Sequence, residues 1–196
     1  PRYNIAPGQQ VLTVVDDDGM PRPEFMRWGL ISFWANDEKI GNRMINARAE
    51  TLSTSAAFKE AFQRRRCLVI ADGFYEWWKE GKTRIPQRIG LRGWDLFAFA
   101  GLWESWRNKE TGERVRSCSI ITCKPNELIE PIHDRMPVIL PMEAEADWLD
   151  GGARKPEELQ RLLVPYPADR MEAYEVSTLA NSVKNDGPEL IGQAAS

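Results

Sequence analysis

Strand-like runs joined by tight turns, with short helices inserted between them rather than alternating with them, predict an α+β fold around a mainly antiparallel β-sheet or barrel. Three observations carry that expectation. β-favouring runs recur along the chain, turns such as Asp16-Asp17-Asp18-Gly19 and Glu80-Gly81-Lys82 separate successive runs, and proline stands at the entry of each late helical segment.

Gln10 to Val15 reads as a strand whose partner, Glu24 to Trp28, lies across a turn with an Asp-Gly pair, a hairpin signal. From Trp28 to Arg43 the pattern is irregular, with Trp34 exposed among polar residues. Ala56, Ala57, Phe58, Ala61 and Phe62 are spaced for a helix over about Ser55 to Arg64, with Ser53, Thr54 or Ser55 as its cap. Cys67 to Asp72, Gly73 to Lys79 and Arg84 to Arg92 look like strands. A second hairpin joins Asp95 to Trp106 with Arg114 to Thr122 through the turn Asn108 to Gly112. Short helices are predicted at Pro125 to Ile129, Met142 to Leu149 and Pro156 to Leu163, and a late strand at Glu172 to Thr178. No repeat or low-complexity segment interrupts the 196 residues, which are expected to form one domain.

The bulk chemistry narrows the class. With 42% hydrophobic and 28% charged residues the chain has the composition of a globular protein. Its longest apolar stretch, around Leu96 to Trp103, is far short of the roughly 18 to 20 residues that cross a bilayer. Cys67, Cys118 and Cys123 form no C-x-x-C pair and have no histidine cluster beside them, which argues against a disulfide framework and a zinc site and for an intracellular, cytoplasmic setting. Neither a metal nor an organic cofactor is implied. A net charge of −3 argues against a generic nucleic-acid coat, yet Lys59 to Arg92 holds nine bases against four acids, while Pro141 to Gln160 holds six acids against two bases. That asymmetry fits either a basic groove on an acidic protein or two unrelated solvated faces.

Two segments concentrate chemistry. Ala71-Asp72-Gly73-Phe74-Tyr75-Glu76-Trp77-Trp78 sets one carboxylate among four aromatic rings, a poorly solvated surround that disfavours its charged form and can poise it as an acid or base. The same alternation is also what an ordinary half-buried strand shows. Ile132-His133-Asp134-Arg135-Met136-Pro137 carries the one histidine of the chain, so imidazole chemistry has a single address. A lone histidine serves equally well as a hydrogen-bonded structural residue.

Arg2-Tyr3-Asn4-Ile5-Ala6-Pro7-Gly8, Ile45-Asn46-Ala47-Arg48-Ala49-Glu50-Thr51, Ala71 to Trp77 and Ile132 to Pro137 follow one another in that order, before the tail Asn181-Ser182-Val183-Lys184-Asn185-Asp186-Gly187. Together they resemble the SOS response-associated peptidase family, the SRAP domain, along essentially the whole chain. The resemblance implies a β-rich α+β domain with a basic channel. It implies a protein of the DNA damage response that binds single-stranded DNA and captures abasic sites as a covalent thiazolidine crosslink, acting also as a peptidase on its own N-terminal methionine. The expected partner is therefore single-stranded DNA bearing an abasic site, with no membrane or metal, and the expected state is a monomer, nucleoid-associated when on DNA.

Residue by residue, the resemblance makes Glu76 the acid/base carboxylate, His133 the histidine that assists sugar ring opening and crosslink reversal, and Asn46 the amide that orients the attacking amine or the sugar oxygen. Arg48 and Arg135 match phosphate clamps, Thr122 a phosphate-contacting hydroxyl, and Trp34 a wedge that splays the DNA. Asn4 and Pro7 line the pocket, and Trp77 either stacks on DNA or packs against the strand beneath it. The family's nucleophile is the cysteine of a Met-Cys-Gly-Arg opening, exposed when methionine is removed. This sequence starts within the later Arg-Tyr-Asn segment, so the nucleophile is not among its residues, and thiazolidine capture is expected only where upstream residues supply that cysteine. Ala56 and Ala57 stand where some relatives carry a further arginine. Two other readings are a single-stranded DNA or modified-base reader without catalysis, and a peptidase acting on other proteins.

Overall fold

The computed structural model describes residues 1–93, 96–151 and 154–194. The first hairpin forms where the Asp-Gly pair directs it, with β1 (Gln10–Asp17) and β2 (Met20–Trp28) antiparallel from Gln10 opposite Arg27 to Asp17 opposite Met20. Asp18 and Gly19 both take positive φ, 54° and 82°, the type I′ combination whose twist matches that of the strands it joins.

The remaining elements in chain order are β3 (Asn46–Arg48), α1 (Lys59–Arg64), β4 (Arg66–Ala71), β5 (Phe74–Glu80), β6 (Thr83–Leu91), β7 (Phe97–Arg107), β8 (Arg114–Cys123), β9 (Met136–Pro137), β10 (Ile139–Leu140), α2 (Met142–Leu149), α3 (Pro156–Gln160) and β11 (Met171–Glu175). Asp95, the predicted start of β7, lies outside the described residues. Strands β7, β4, β1, β2 and β8 pair in that order and β8 pairs back with β7, so they close a ring. Every pairing in the ring is antiparallel except β2 with β8, where Arg27 and Trp28 lie beside Ser117 and Cys118. The α+β expectation holds, in its barrel form.

A continuous core fills and flanks the ring, with Val15, Met26, Leu30, Leu68, Phe99, Leu102, Ile121 and Trp148 all buried. At about 1.5–3 kcal/mol for each large apolar side chain so buried, this core can carry a rim of half-exposed charged groups. The buried Arg66 ties helices α1 and α2 to it, donating from Nη1 to the carbonyls of Phe62 (2.9 Å) and Gln63 (2.6 Å) and from Nε to that of Trp148 (2.7 Å). It thereby satisfies last-turn carbonyls that the helices leave open.

Two features of the topology position the site. Strands β7 and β8 pair from Arg107 opposite Arg114 to Gly101 opposite Ile120 and then separate. The segment from Met136 to Leu140 fills the gap, Val138 donating to Ile121 O at 2.8 Å and accepting from Ala100 N–H at 2.9 Å. The second sheet, β11-β6-β5, is antiparallel throughout. Alternation places Phe74, Glu76 and Trp78 on one face of β5 and Tyr75 and Trp77 on the other. Phe74 meets Phe99 of the barrel edge-on at 5.7 Å, so the first face looks toward the barrel. Tyr75 Oη donates to Tyr3 O at 2.8 Å and Trp77 Nε1 to Asn181 Oδ1 at 2.7 Å, so the second face is covered by the N-terminal segment and the tail.

Several boundaries differ from the sequence expectation for local reasons. Helix α1 begins at Lys59 rather than Ser55, because Ser55 O accepts from both Phe58 and Lys59 N–H in a turn. Phe58 holds the capping position and makes no side-chain bond there. Pro125 to Ile129 is turn rather than helix. Asn126 Oδ1 accepts from Leu128 N–H (3.1 Å) and Ile129 N–H (3.0 Å), offering the backbone an alternative to helical bonding. Helix α3 stops at Gln160. Strand β11 stops at Glu175, since Ser177 caps a 3-10 turn over Thr178–Asn181.

Candidate active site

The end of β8 is the organising point. Strand β3 lies parallel to it, Asn46 beside Ile120 and Arg48 beside Thr122, and Thr122 also faces Pro137 of β9. Ala47 is buried in the core, so alternation turns Asn46 and Arg48 outward together. Arg135 comes from the other side. Its Nη2 donates to Thr122 O at 2.6 Å, and Nε and Nη2 lie 3.4 and 3.3 Å from Thr122 Oγ1. Asn46, Arg48, Thr122 and Arg135, from three separate segments, thus meet around one strand end.

Sequence reasoning missed Glu50 in this group. Its carboxylate accepts from Arg135 Nη1 and Nη2, each at 2.9 Å. The bond with Arg135 is the main cause holding Glu50 below the ordinary glutamate range, with the charges of Arg135 and Arg48 adding to it. The signal was in plain view, an acid two residues after Arg48, but its partner lies 85 positions away. Arg48 itself is exposed and forms no ion pair among the described residues.

His133 precedes Arg135 by two positions, and Arg135 N–H donates to His133 Nδ1 at 3.1 Å. Nδ1 lies equally close to Arg135 O, 3.1 Å, so it accepts from the Arg135 N–H or donates to the Arg135 carbonyl according to its tautomer. A protonated Nδ1 has Asp134 Oδ1 at 3.3 Å and Arg135 O at 3.1 Å as acceptors.

Glu76 is half-buried on the barrel-facing side of β5. Burial raises its pKa above the ordinary value, the charge of a protonated His133 opposes that rise, and Asp134 adds to it. Burial is the main cause of that rise, and of the four rings in this segment only those of Phe74 and Trp78 share the face of Glu76. The start of β5 is fixed by close approach. A Cβ on Gly73 would lie 2.9 Å from Arg88 Cζ and 3.0 Å from Ile89 O. Arg88 in turn donates to Asp72 O at 3.0 Å and to Tyr174 Oη at 3.1 Å.

Other predicted site residues lie elsewhere. Asn4 is buried and its amide points to the tail carbonyls of Ala180, Ser182 and Asn185, at 3.2, 3.2 and 3.3 Å, while Pro7 is exposed on the approach to β1. Asp186 holds the same N-terminal segment through Tyr3 N–H (2.6 Å), Asn4 N–H (2.9 Å) and the Arg2 guanidinium. Trp77 faces the tail through Asn181. Trp34 is 50% exposed. Its neighbour Ala35 accepts from Trp106 Nε1 at 2.7 Å, at the hairpin end of β8 and so at the far end of that strand from Thr122. All three cysteines are buried. Burial pushes the Cys67 thiol well above its ordinary value, Cys118 up to about 12 and Cys123 up to about 11, so none of them is a ready nucleophile. Among the described residues no group of three or more His, Cys, Asp or Glu is placed to hold a metal. No helix among them is long and apolar enough to cross a membrane.

The model of one protein family, described as SOS response associated peptidase (SRAP), matches residues 1–183. The chain belongs to that family. Among SRAP relatives it is 55% identical over 192 residues to abasic site processing protein YoqW of Bacillus subtilis, covering 97% of this chain and 85% of that one. It is 32% identical to abasic site processing protein YedK of Escherichia coli, covering 97% and 83%. The longer HMCES of Gallus gallus, also an abasic site processing protein, is 33% identical over 85% of this chain and 56% of its own length. Among solved structures, a protein of Bacteroides thetaiotaomicron superimposes with a TM-score of 0.87 at 32% identity, covering 96% of this SRAP chain and 82% of that one.

Proposed function

We propose that this protein captures abasic sites in single-stranded DNA as a covalent crosslink, and that Glu76, His133 and Asn46 run the chemistry while Arg48, Arg135 and Thr122 receive the phosphates. The observation that carries this reading is the carboxyl of Glu76, its pKa raised by burial on the barrel-facing side of β5 and within electrostatic reach of the one histidine of the chain. His133 is bonded to the backbone of Arg135, whose guanidinium gathers with Arg48 and the Thr122 hydroxyl at one strand end. Relatives named abasic site processing proteins support it.

An abasic deoxyribose rests mainly as a closed hemiacetal. Opening it needs a proton delivered to the ring oxygen and one removed from the C1 hydroxyl, the work of a paired acid and base. The amine of the family's N-terminal cysteine then adds to the C1 aldehyde. A protonated Glu76 delivers the proton with which the carbinolamine hydroxyl leaves as water, and the thiol adds to the resulting iminium carbon. The thiol proton departs, and a thiazolidine closes. Asn46, exposed on β3, can donate to the sugar oxygen and accept from the amine with the same amide. The same carboxyl and thiol serve removal of the initiator methionine that exposes the amine.

Denaturing electrophoresis tests this, using a chain that carries the N-terminal cysteine and a single strand with one abasic site. The expected result is a shifted band that Glu76→Gln forms about 100- to 10,000-fold more slowly. An unshifted band over hours from the cysteine-bearing wild type sinks the proposal. Mass analysis of the mature N-terminus, with and without Glu76→Gln, reads the self-processing step.

A further inference from the structure

Strand β5 is an edge strand, and its unpaired side runs past Glu76. The ladder on the far side of β6 fixes which main-chain groups point where. Val176 N–H donates to Pro86 O at 3.1 Å, and Arg92 N–H donates to Arg170 O at 2.9 Å. The even-numbered residues of β6 therefore bond toward β11 and the odd-numbered ones toward β5, because an antiparallel ladder alternates. Opposite Ile89, Gln87, Ile85 and Thr83 stand Phe74, Glu76, Trp78 and Glu80, whose N–H and C=O groups point to β6. Tyr75, Trp77 and Lys79 turn theirs outward. Among the described residues no other backbone segment bonds to them.

Other long edges are closed or blunted. Strands β7, β4 and β1 are paired on both sides. The outer side of β11 is closed at its end by the tail, where Gln193 pairs with Val176 and Ala194 N–H donates to Glu175 O at 2.8 Å. Strand β2 meets β8 only at Arg27 and Trp28, but the stretch it leaves open carries Pro21 and Pro23, which offer no N–H. Strand β5 has no proline and keeps seven extended residues. Such an edge is a template for one more strand.

Its place beside the site says which strand. The Trp77 N–H, on the open side, favours the charged form of the Glu76 carboxyl, so that carboxyl lies at the edge. Tyr75 Oη holds Tyr3 O at 2.8 Å, so the N-terminal segment already passes β5. A chain end frays unless backbone bonds tie it down, whereas an attacking amine needs a fixed place near its acid.

We infer that the residues following the N-terminal cysteine add to the open edge of β5 as a further strand, pairing with Tyr75, Trp77 and Lys79, and so hold the cysteine amine beside the Glu76 carboxyl. This rests on the reading that the cysteine is the nucleophile and Glu76 its acid, and it names the backbone that positions the two.

Hydrogen exchange reads the edge residue by residue. In the 196-residue chain the amides of Glu76 and Trp78 should exchange slowly and those of Tyr75 and Lys79 quickly. In a chain that carries the N-terminal cysteine, Tyr75 and Lys79 should become as slow as their neighbours. Lys79→Pro removes one outward N–H and leaves the bonds to β6 in place. In the cysteine-bearing chain it should slow crosslinking at saturating DNA by about 2- to 12-fold, the worth of one backbone bond. Its affinity for a strand with a tetrahydrofuran analogue of the abasic sugar, which has no aldehyde and cannot crosslink, should be unchanged. Lys79→Ala keeps the N–H without the charge and should crosslink at the wild-type rate. Fast exchange at Tyr75 and Lys79 in the cysteine-bearing chain, slow exchange there in the 196-residue chain, or a wild-type rate for Lys79→Pro overturns the added strand. Protection that rises with protein concentration assigns the edge to a second copy and overturns it too. Abasic capture stands in each of these cases as long as the cysteine-bearing wild type gives a crosslinked band. A wild type that gives none overturns the reading beneath.

Discussion

The Arg135 guanidinium and the Glu50 carboxylate meet at two points, 2.9 Å from Nη1 to Oε1 and 2.9 Å from Nη2 to Oε2. That fork-to-fork geometry is the one a guanidinium also uses on phosphate. On the proposed function, Glu50 occupies the donors that a DNA backbone would claim, and at the same time it holds them in position.

Removing the competing charge should favour DNA. Glu50→Gln keeps the side chain's length and one acceptor, and is expected to bind an undamaged single strand about fivefold more tightly at low salt. That is the value of roughly 1 kcal/mol for one unit charge at contact distance in water. Arg135→Ala should weaken every sequence alike and lower the salt slope by about 0.7. Anisotropy titrations at several salt concentrations measure both, and a weaker Glu50→Gln contradicts the competition.

Glu76 should cost the fold stability in its ionised form. Its folded pKa lies above the ordinary 4.5, chiefly through burial. Below 4.5 it is protonated both folded and unfolded and contributes nothing. Above the raised folded value it is ionised in both, and the penalty is complete. Glu76→Gln is thus expected to melt higher than wild type at pH 7, with the difference vanishing below about pH 4.5. Thermal melts across pH check it; a variant that melts lower at pH 7 would mean that the carboxylate is stabilised in place.

Asp186 works with the opposite sign. The Tyr3 N–H first, and then Arg2 and the Asn4 N–H, hold its carboxyl below the ordinary 3.8 against an opposing desolvation effect. Its contribution is complete above that value and fades as the pH falls through the lowered one. Asp186→Asn should melt below wild type at neutral pH and show a flatter acid limb under about pH 4. Hydrogen exchange at Tyr3 and Asn4 should speed up in the same variant.

Gly73 leaves no room for a side chain. A Cβ there would press on backbone at Ile89 O, 3.0 Å away, as well as on the Arg88 guanidinium. Gly73→Ala is expected to destabilise by about 1–3 kcal/mol, as overpacking does. It should also slow capture, since the start of β5 sets where Glu76 points. An unchanged denaturant midpoint contradicts the contact.

What the sequence alone determined is the set of elements whose cause is local. The Asp18-Gly19 turn, the strands of the two long hairpins and helix α2 over Met142–Leu149 stand where turn chemistry and periodicity put them. The segments holding Asn46, Glu76 and His133 were legible as motifs. Where prediction missed, a side chain had taken over a backbone bond, as Asn126 does at Leu128 and Ile129. Tertiary structure decided which face each residue shows and to whom. Nothing near Glu50 in the chain names Arg135 as its partner, and nothing in the pair Trp77-Trp78 says which ring turns to the tail. The closure of the barrel and the pairing of β5 with β6 settle both, because a strand's faces acquire meaning only when distant segments cover one of them.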